Sequence, residues 1–132
     1  MNNSALRTDT APERETILLL EWDIMTRALL ADYLRSCGYR VVEARSAAEA
    51  LTILQESSEQ IRVVLSDAEN GFKLSGWVKA NRPKIKVILA ANPERASQAA
   101  AGLCEAGPHS KRPYDPQLLA QRIRAHLAKA GQ

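Results

Sequence analysis

The sequence predicts a single α/β domain, a three-layer doubly wound (βα)5 sandwich built on a parallel sheet. Two short, wholly apolar runs, residues 17–20 and 63–65, lead into acidic residues at Glu21 and Asp67. Apolar runs of this kind are typical of strands that are covered on both faces. Segments with helical spacing of apolar residues separate the runs, and the β-α alternation occurs five times, which indicates parallel strands joined by crossover helices.

Each predicted element has its own local signal. The predicted strands are residues 17–21, 39–43, 61–66, 85–90 and, with few β-branched residues, 109–111. The first predicted helix ends at Cys37-Gly38, and the second opens with a capping box at Ser46 and Glu49. An expected turn at Asn70-Gly71 precedes the third helix, which ends before Pro83. Asx-Pro pairs start the last two helices, at Asn92-Pro93 and Asp115-Pro116.

The composition of the chain limits the classes of protein to which it can belong. A chain of 132 residues with 45% hydrophobic residues forms one core, and a net charge of +3 with 5% aromatics disfavours a nucleic-acid module. Cys37 and Cys104 lack CxxC spacing and are expected to be reduced thiols, not a disulfide or metal site. Residues 1–15 are polar, which predicts a disordered tail before a domain at 16–130. The sequence shows no hydrophobic signal core and no membrane span, so we expect a cytoplasmic protein.

An ordered set of landmarks resembles the bacterial response-regulator receiver domain, the CheY-like family. The resemblance covers residues 16–130. Its landmarks are Arg27, Cys37-Gly38-Tyr39-Arg40-Val41, Ala48-Glu49-Ala50-Leu51, Asp67, Arg82-Pro83, Ala106-Gly107 and Arg112-Pro113-Tyr114. The resemblance implies a flavodoxin-like fold, in which a five-stranded parallel sheet has the strand order 2-1-3-4-5.

The resemblance also implies a phosphorylation site at the carboxyl edge of the sheet. In this family the acid that ends strand three accepts a phosphoryl group from a histidine kinase, and acids after strand one help to hold Mg²⁺. Asp67 matches the acceptor and Glu21 the first acid. Trp22 occupies the place of the second acid, which binds the metal directly, while Asp23 follows one position later.

Other parts of the family's site are replaced. Ala91 falls where a hydroxyl should end strand four, and Arg112, with Lys111 beside it, replaces the Lys that ends strand five. The loop after Asp67 is about four residues shorter than in the family, since residues 67–71 lack the Met-Pro-x-Met stretch. These losses predict weak or absent Mg²⁺ binding, with Glu21 and Asp67 as the remaining weak metal candidates and no cofactor otherwise.

Structural roles compete with functional ones. Asp67 is either a phosphoacceptor or a strand-tip acid paired with Arg112, or secondarily with Lys111. Asp23 is expected to cap the first helix, Trp22 to fill the vacated metal pocket, and His126, like His109, to face solvent.

The sequence therefore predicts a stand-alone, non-enzymatic response regulator of a two-component phosphorelay. It is expected to act mainly through protein–protein contacts, with impaired Mg²⁺-dependent phosphorylation; the alternative is a working receiver that uses Asp67. A flavodoxin-like enzyme and a small basic nucleic-acid binder are the disfavoured classes. Expected partners are a sensor histidine kinase or another signalling protein, and a second copy through the helix 4–strand 5–helix 5 face.

Overall fold

Four apolar runs form the parallel sheet of this chain, for which a computed structural model describes residues 15–57, 60–109 and 111–130. The strands are β1 (Thr16–Leu20), β2 (Arg40–Ala44), β3 (Ile61–Asp67) and β4 (Lys86–Ala90). Their order across the sheet is β2-β1-β3-β4, and every neighbouring pair is parallel. The doubly wound α/β prediction is confirmed. The expected tail lies outside the described residues, apart from Glu15.

Helices alternate with the strands, and their ends carry the caps that the sequence predicts. They are α1 (Ile24–Ser36), α2 (Ala47–Ser57), α3 (Ala68–Asn81), α4 (Pro93–Ala106) and α5 (Pro116–Ala130). Gly38 adopts a φ of 97° just after α1, a conformation that favours glycine. Ser46 Oγ accepts from the Glu49 amide, and Asn92 caps α4 ahead of Pro93. No helix among the described residues is long and apolar enough to cross a membrane.

Two hydrophobic layers cover the sheet. On one face, α2 and α3 pack over β-strand residues that include Leu18, Leu20 and Val64. On the other face, α1, α4 and α5 share a core with Ile17 and Leu19. The alternating residues of β1 thus enter both cores, as expected of a central strand covered on both sides.

Helix α4 lies on the same face as α1, which differs from the arrangement that a fifth strand would impose. Right-handed crossovers put α1 on one face of a β2-β1-β3-β4 sheet and α2 and α3 on the other. A parallel strand beyond β4 would put α4 with α2 and α3. The expected fifth strand is not seen among the described residues around it, His109 and Lys111, and Ser110 lies outside the described part. Without that strand, handedness does not fix the face of α4.

Two further sequence expectations are corrected. Cys37 and Cys104 are not separate thiols but form a disulfide with a Cα–Cα distance of 5.2 Å. Sequence spacing held no information on this pairing, which follows from α4 lying beside α1. The expected turn at Asn70-Gly71 is also wrong, because α3 begins immediately after Asp67. Gly71 instead allows a close approach, since a Cβ there would lie 2.3 Å from Leu89 Cδ2.

Candidate functional site

Three acidic side chains gather where the carboxyl ends of β1 and β3 meet. Glu21 and Asp23 follow β1, and Asp67 ends β3 opposite Ala90 of β4. They line a cavity of about 190 Å³ together with residues of α1, α4 and α5. In a parallel α/β sheet this edge is where ligands bind. The placement of Glu21, Asp23 and Asp67 at one edge agrees with the prediction from their strand-end positions.

Two hydrogen bonds from Asn70 hold the Asp67 carboxylate. The Asn70 amide donates to Asp67 Oδ1 at 2.9 Å, and Asn70 Nδ2 donates to Asp67 Oδ2 at 2.9 Å. The first bond makes Asp67 the N-cap of α3. Both carboxylate oxygens therefore already have a protein donor. Asn70 was missed in the sequence because it was assigned to a turn and not to the first turn of a helix.

Glu21 is a half-buried acid next to two other acids. Its Oε2 accepts from the Asp23 amide at 3.0 Å, while Arg27 donates to the Glu21 carbonyl at 2.8 Å. Burial raises the pKa of Glu21, and the Asp67 and Asp23 carboxylates raise it further, against the lowering effects of the amide bond and of Arg27. The site therefore favours the neutral form of this carboxyl group more than water does.

Asp23 joins the sheet edge to α5 through an ion pair with His126. Asp23 Oδ2 accepts from the Thr26 amide at 2.9 Å and lies 3.1 Å from His126 Nε2. Burial alone would raise the pKa of Asp23, but the Thr26 hydrogen bonds and His126 outweigh it and lower the pKa. Asp23 caps α1 as expected. The expectation that His126 faces solvent is wrong; its place seven residues after Leu119 on the buried stripe of α5 was the available signal.

Trp22 and Ala91 lie at the positions where the resemblance predicts that family groups are replaced. The Trp22 side chain borders the cavity but is 68% exposed, so the expectation that it fills the pocket is wrong. Ala90, which pairs with Asp67, and Ala91, which follows it, carry no hydroxyl group. A phosphoryl group bound at Asp67 would lack a hydroxyl donor from the end of β4.

Arg112 pairs with Glu105 and not with Asp67, which corrects the expected pairing. Arg112 donates to Glu105 Oε2 at 2.7 Å, in the last turn of α4. Lys111 is exposed, and the described residues contain no ion pair between it and Asp67. The expected pair of Arg112 and Asp67 would require a fifth strand that returns the chain to the carboxyl edge of the sheet. Helix α5 makes this return instead and brings Ile123 and Leu127 to the cavity.

The residues at this edge do not fit a Mg²⁺ site. Each carboxylate is engaged by protein donors, and the position expected to supply the direct ligand is Trp22, which has no side-chain oxygen. Mg²⁺ requires near-octahedral oxygen coordination. The described part of the chain contains no group of three or more His, Cys, Asp or Glu side chains placed to hold a metal ion.

No family model matches the chain, but curated proteins and solved structures are similar to it. The Bacillus subtilis "Uncharacterized transcriptional regulatory protein YbdJ" is 30% identical over 111 residues, covering 84% of this chain and 50% of that protein. The "Transcriptional regulatory protein GltR" of Pseudomonas aeruginosa is 28% identical over 120 residues, covering 87% of this chain and 50% of that protein. The chain thus spans about half the length of these curated relatives.

Solved structures extend the similarity to the fold. A response regulator receiver protein from Pseudomonas putida is 26% identical with a TM-score of 0.54, covering 59% of this chain and 68% of that one. A response regulator receiver domain protein from Clostridium thermocellum is 21% identical with a TM-score of 0.58, covering 89% of this chain and 97% of that one.

Proposed function

We propose, on the premise that the chain belongs to the CheY-like receiver domains of response regulators, that it is an atypical receiver that signals mainly through protein–protein contacts. The family places the chain in two-component signalling. In the proposed mode, Asp67 accepts a phosphoryl group poorly and a signalling protein, such as a sensor histidine kinase, binds without requiring phosphorylation. The absence of nucleic-acid binding and of enzyme activity stays a prediction, as does the stand-alone domain.

The engagement of Asp67 by Asn70 is the observation that carries this proposal. A carboxylate that attacks phosphorus must present a free oxygen lone pair, in line with the leaving group. Both Asp67 oxygens accept hydrogen bonds from Asn70, and the bond from the backbone amide also caps α3. Attack through Oδ2 would compete with the Asn70 Nδ2 bond, and attack through Oδ1 would compete with the bond that caps α3, which is worth about 1 kcal/mol.

The charge around Asp67 supports the same conclusion. Three carboxylates line the cavity, and its lining within the described part of the chain includes no Lys or Arg. Arg27 is engaged with the Glu21 carbonyl and with Glu43, at 2.8 and 3.1 Å. Phosphoryl transfer depends on cations that neutralise charge on the phosphoryl oxygens, so this cavity repels an anionic phosphodonor.

The working-receiver alternative retains one supporting observation. Asp67 borders the cavity and is only half-buried, so a phosphodonor can reach it once Asn70 moves. The alternative and the proposal differ in one measurable property, which is the Asp67-dependent uptake of phosphate.

Phosphorylation in vitro tests the proposal. Wild type, Asp67→Ala and Asp32→Ala are incubated with a small acyl phosphate and Mg²⁺ and resolved on a phosphate-affinity gel; Asp32 is an exposed acid of α1 and serves as the matched control. We expect all three proteins to migrate alike. Rapid, near-complete modification of wild type and Asp32→Ala but not of Asp67→Ala would establish the working-receiver alternative.

Asn70→Ala adds a test of the cause. The variant loses the Nδ2 bond to Oδ2 and keeps the backbone bond to Oδ1. If the Nδ2 bond limits the reactivity of Asp67, the variant should take up more label than wild type, and Asp67→Ala should remove this gain. Equal labelling of Asn70→Ala and wild type would remove the main support for the proposed mechanism.

A further inference from the structure

The disulfide between Cys37 and Cys104 ties together two helices that neighbour each other only in space. Cys37 caps the C-terminus of α1, and Cys104 lies in the last turn of α4, 67 residues later. Both residues are fully buried. They are the 2 cysteines of the chain, so every thiol or disulfide measurement reports on this pair alone.

Besides the disulfide, α4 is held on the α1 face by the core that it shares with α1 and α5. No strand among the described residues follows α4, so crossover handedness does not select its face. Half of its buried residues are alanines, which offer little apolar surface. Ser97 is buried there, and its hydroxyl has no hydrogen-bond partner within the described ranges. The Tyr39 hydroxyl donates to the Leu103 carbonyl near the disulfide, so this hydrogen bond and the disulfide both lie at the C-terminal end of the helix.

On the opposite face of the sheet, where α3 packs, apolar side chains beside α3 are exposed and could be covered by a helix. Leu89 of β4 points towards α3 beside Gly71 and is 41% exposed, and neighbouring Phe72 is 75% exposed. The outer edge of β4 pairs with no strand among the described residues. A right-handed connection from β4 to a strand at this edge would carry α4 across this face and over Leu89.

We propose that the Cys37–Cys104 pair is a redox latch that selects the face on which α4 packs. The disulfide holds α4 against α1. On reduction, α4 moves to the α3 face and covers Leu89. Two small-molecule thiols supply the two electrons and two protons: the protein S–S bond breaks, two protein thiols form, and the small molecules leave as one disulfide. The proposal does not depend on whether Asp67 is phosphorylated.

A movement of α4 would affect the carboxyl edge of the sheet through the contacts that α4 makes with α5. Helix α5 packs against α4 and is joined to it by an ion pair of 2.5 Å between Arg124 and Glu94. The same helix supplies His126 to Asp23. Release of α4 would break the Arg124–Glu94 ion pair and remove one packing partner of the helix that carries His126, which couples the redox state of the pair to the surroundings of Asp23.

Methyl NMR on oxidised and reduced protein tests the latch. Protein treated with glutathione disulfide is expected to have no free thiols after denaturation, and protein treated with dithiothreitol to have two. In oxidised protein, Ala100 methyl NOEs should go to α1 side chains. In reduced protein and in Cys37→Ser/Cys104→Ser, they should go to Leu89, with a folded far-UV spectrum in every sample.

Three outcomes would overturn the proposal. These are free thiols after oxidation, α1–α4 NOEs that persist after reduction, and loss of the folded spectrum on reduction. Leu89→Lys provides a matched variant, since an exposed lysine is tolerated only while α4 stays away. Its Tm should fall below that of wild type by several degrees more in reduced protein than in oxidised protein; an equal decrease in both states would contradict movement of α4 over Leu89.

Discussion

The Asp23–His126 ion pair is expected to hold the end of α5 on the sheet edge, and His126→Gln should remove this contact. The charged atoms lie 3.1 Å apart, and the side chains are 17% and 30% exposed. At an effective dielectric constant of ~20, a pair at ~3 Å gains about 5 kcal/mol of gross Coulomb energy. Desolvation and side-chain ordering offset most of this gain, so the expected net coupling is about 1 kcal/mol.

The pH dependence of this coupling has a definite sign. The pKa of Asp23 is lowered from an unfolded value of 3.8, with His126 among the causes. A lowered acid pKa contributes stability that is present above the unfolded pKa and lost as pH falls through the folded pKa. Wild type should therefore lose more stability below about pH 4 than His126→Gln does, because the substitution removes part of the pKa shift.

A double-mutant cycle measures the coupling. Urea unfolding of wild type, Asp23→Asn, His126→Gln and the double variant is compared at about pH 5.5, where imidazoles are mostly protonated, and at about pH 9, where they are neutral. We expect a coupling of about 1 kcal/mol at the lower pH and a smaller one at the higher pH. If His126→Gln costs the same in both Asp23 backgrounds at both pH values, the two side chains do not interact and the reasoning fails.

Four further substitutions probe the packing and charge of the molecule. The raised pKa of Glu21 contributes stability that is fully present below the unfolded value of 4.5 and lost as pH rises through the folded pKa, so Glu21→Gln should gain stability relative to wild type between pH ~4 and ~7 in urea titrations. Gly71→Ala should lower the free energy of unfolding by about 1–3 kcal/mol, because the added Cβ would lie 2.3 Å from a β4 side chain. In the same helix, the Cβ of Gly76→Ala meets no described atom within 4 Å and should stabilise by about 0.5–1 kcal/mol. Tyr39→Phe should cost about 1–2 kcal/mol, because it removes a buried hydrogen bond to an α4 carbonyl.

Each of these predictions has a result that would contradict it. An unchanged pH profile in Glu21→Gln would mean that the carboxyl group is not perturbed by burial. Equal stabilities of Gly71→Ala and Gly76→Ala would place α3 farther from β4 than it lies in this structure. A neutral Tyr39→Phe would show that the Leu103 carbonyl is solvated or has another donor.

Local signals located most of the elements because they act over a few residues. The four strands follow from apolar runs, and the caps at Asp23, Ser46 and Asn92 follow from short polar side chains before helical spacing. The same local reasoning failed at Asn70-Gly71, since Asp67 is both the end of β3 and the N-cap of α3, with no loop between them. Gly71 is required by helix–strand proximity, which a turn pattern does not reveal.

The site was predictable where it depends on strand direction and not where it depends on α4 and α5. Parallel strands bring Glu21, Asp23 and Asp67 to one edge whatever follows. The partners of these acids come from later segments, and a single missing strand changes them. Arg112 stays near Glu105 because no strand in the described part carries it back, while His126 reaches Asp23 because α5 does.

Because α4 packs on the α1 face of the sheet, a sequence with receiver landmarks gives a set of contacts that differs from the one expected of a five-stranded order. In a five-stranded order, handedness would separate α1 from α4 by the thickness of the sheet, and Cys37 could not meet Cys104. With the last strand weak in β-branched residues, the connection after β4 is free of that constraint, and α4 packs on α1. Helix α5 then contributes Ile123 and Leu127 to the acidic cavity and pairs His126 with Asp23. The lack of a fifth strand among the described residues thus accounts for the disulfide and for the changed partners of Asp23 and Arg112.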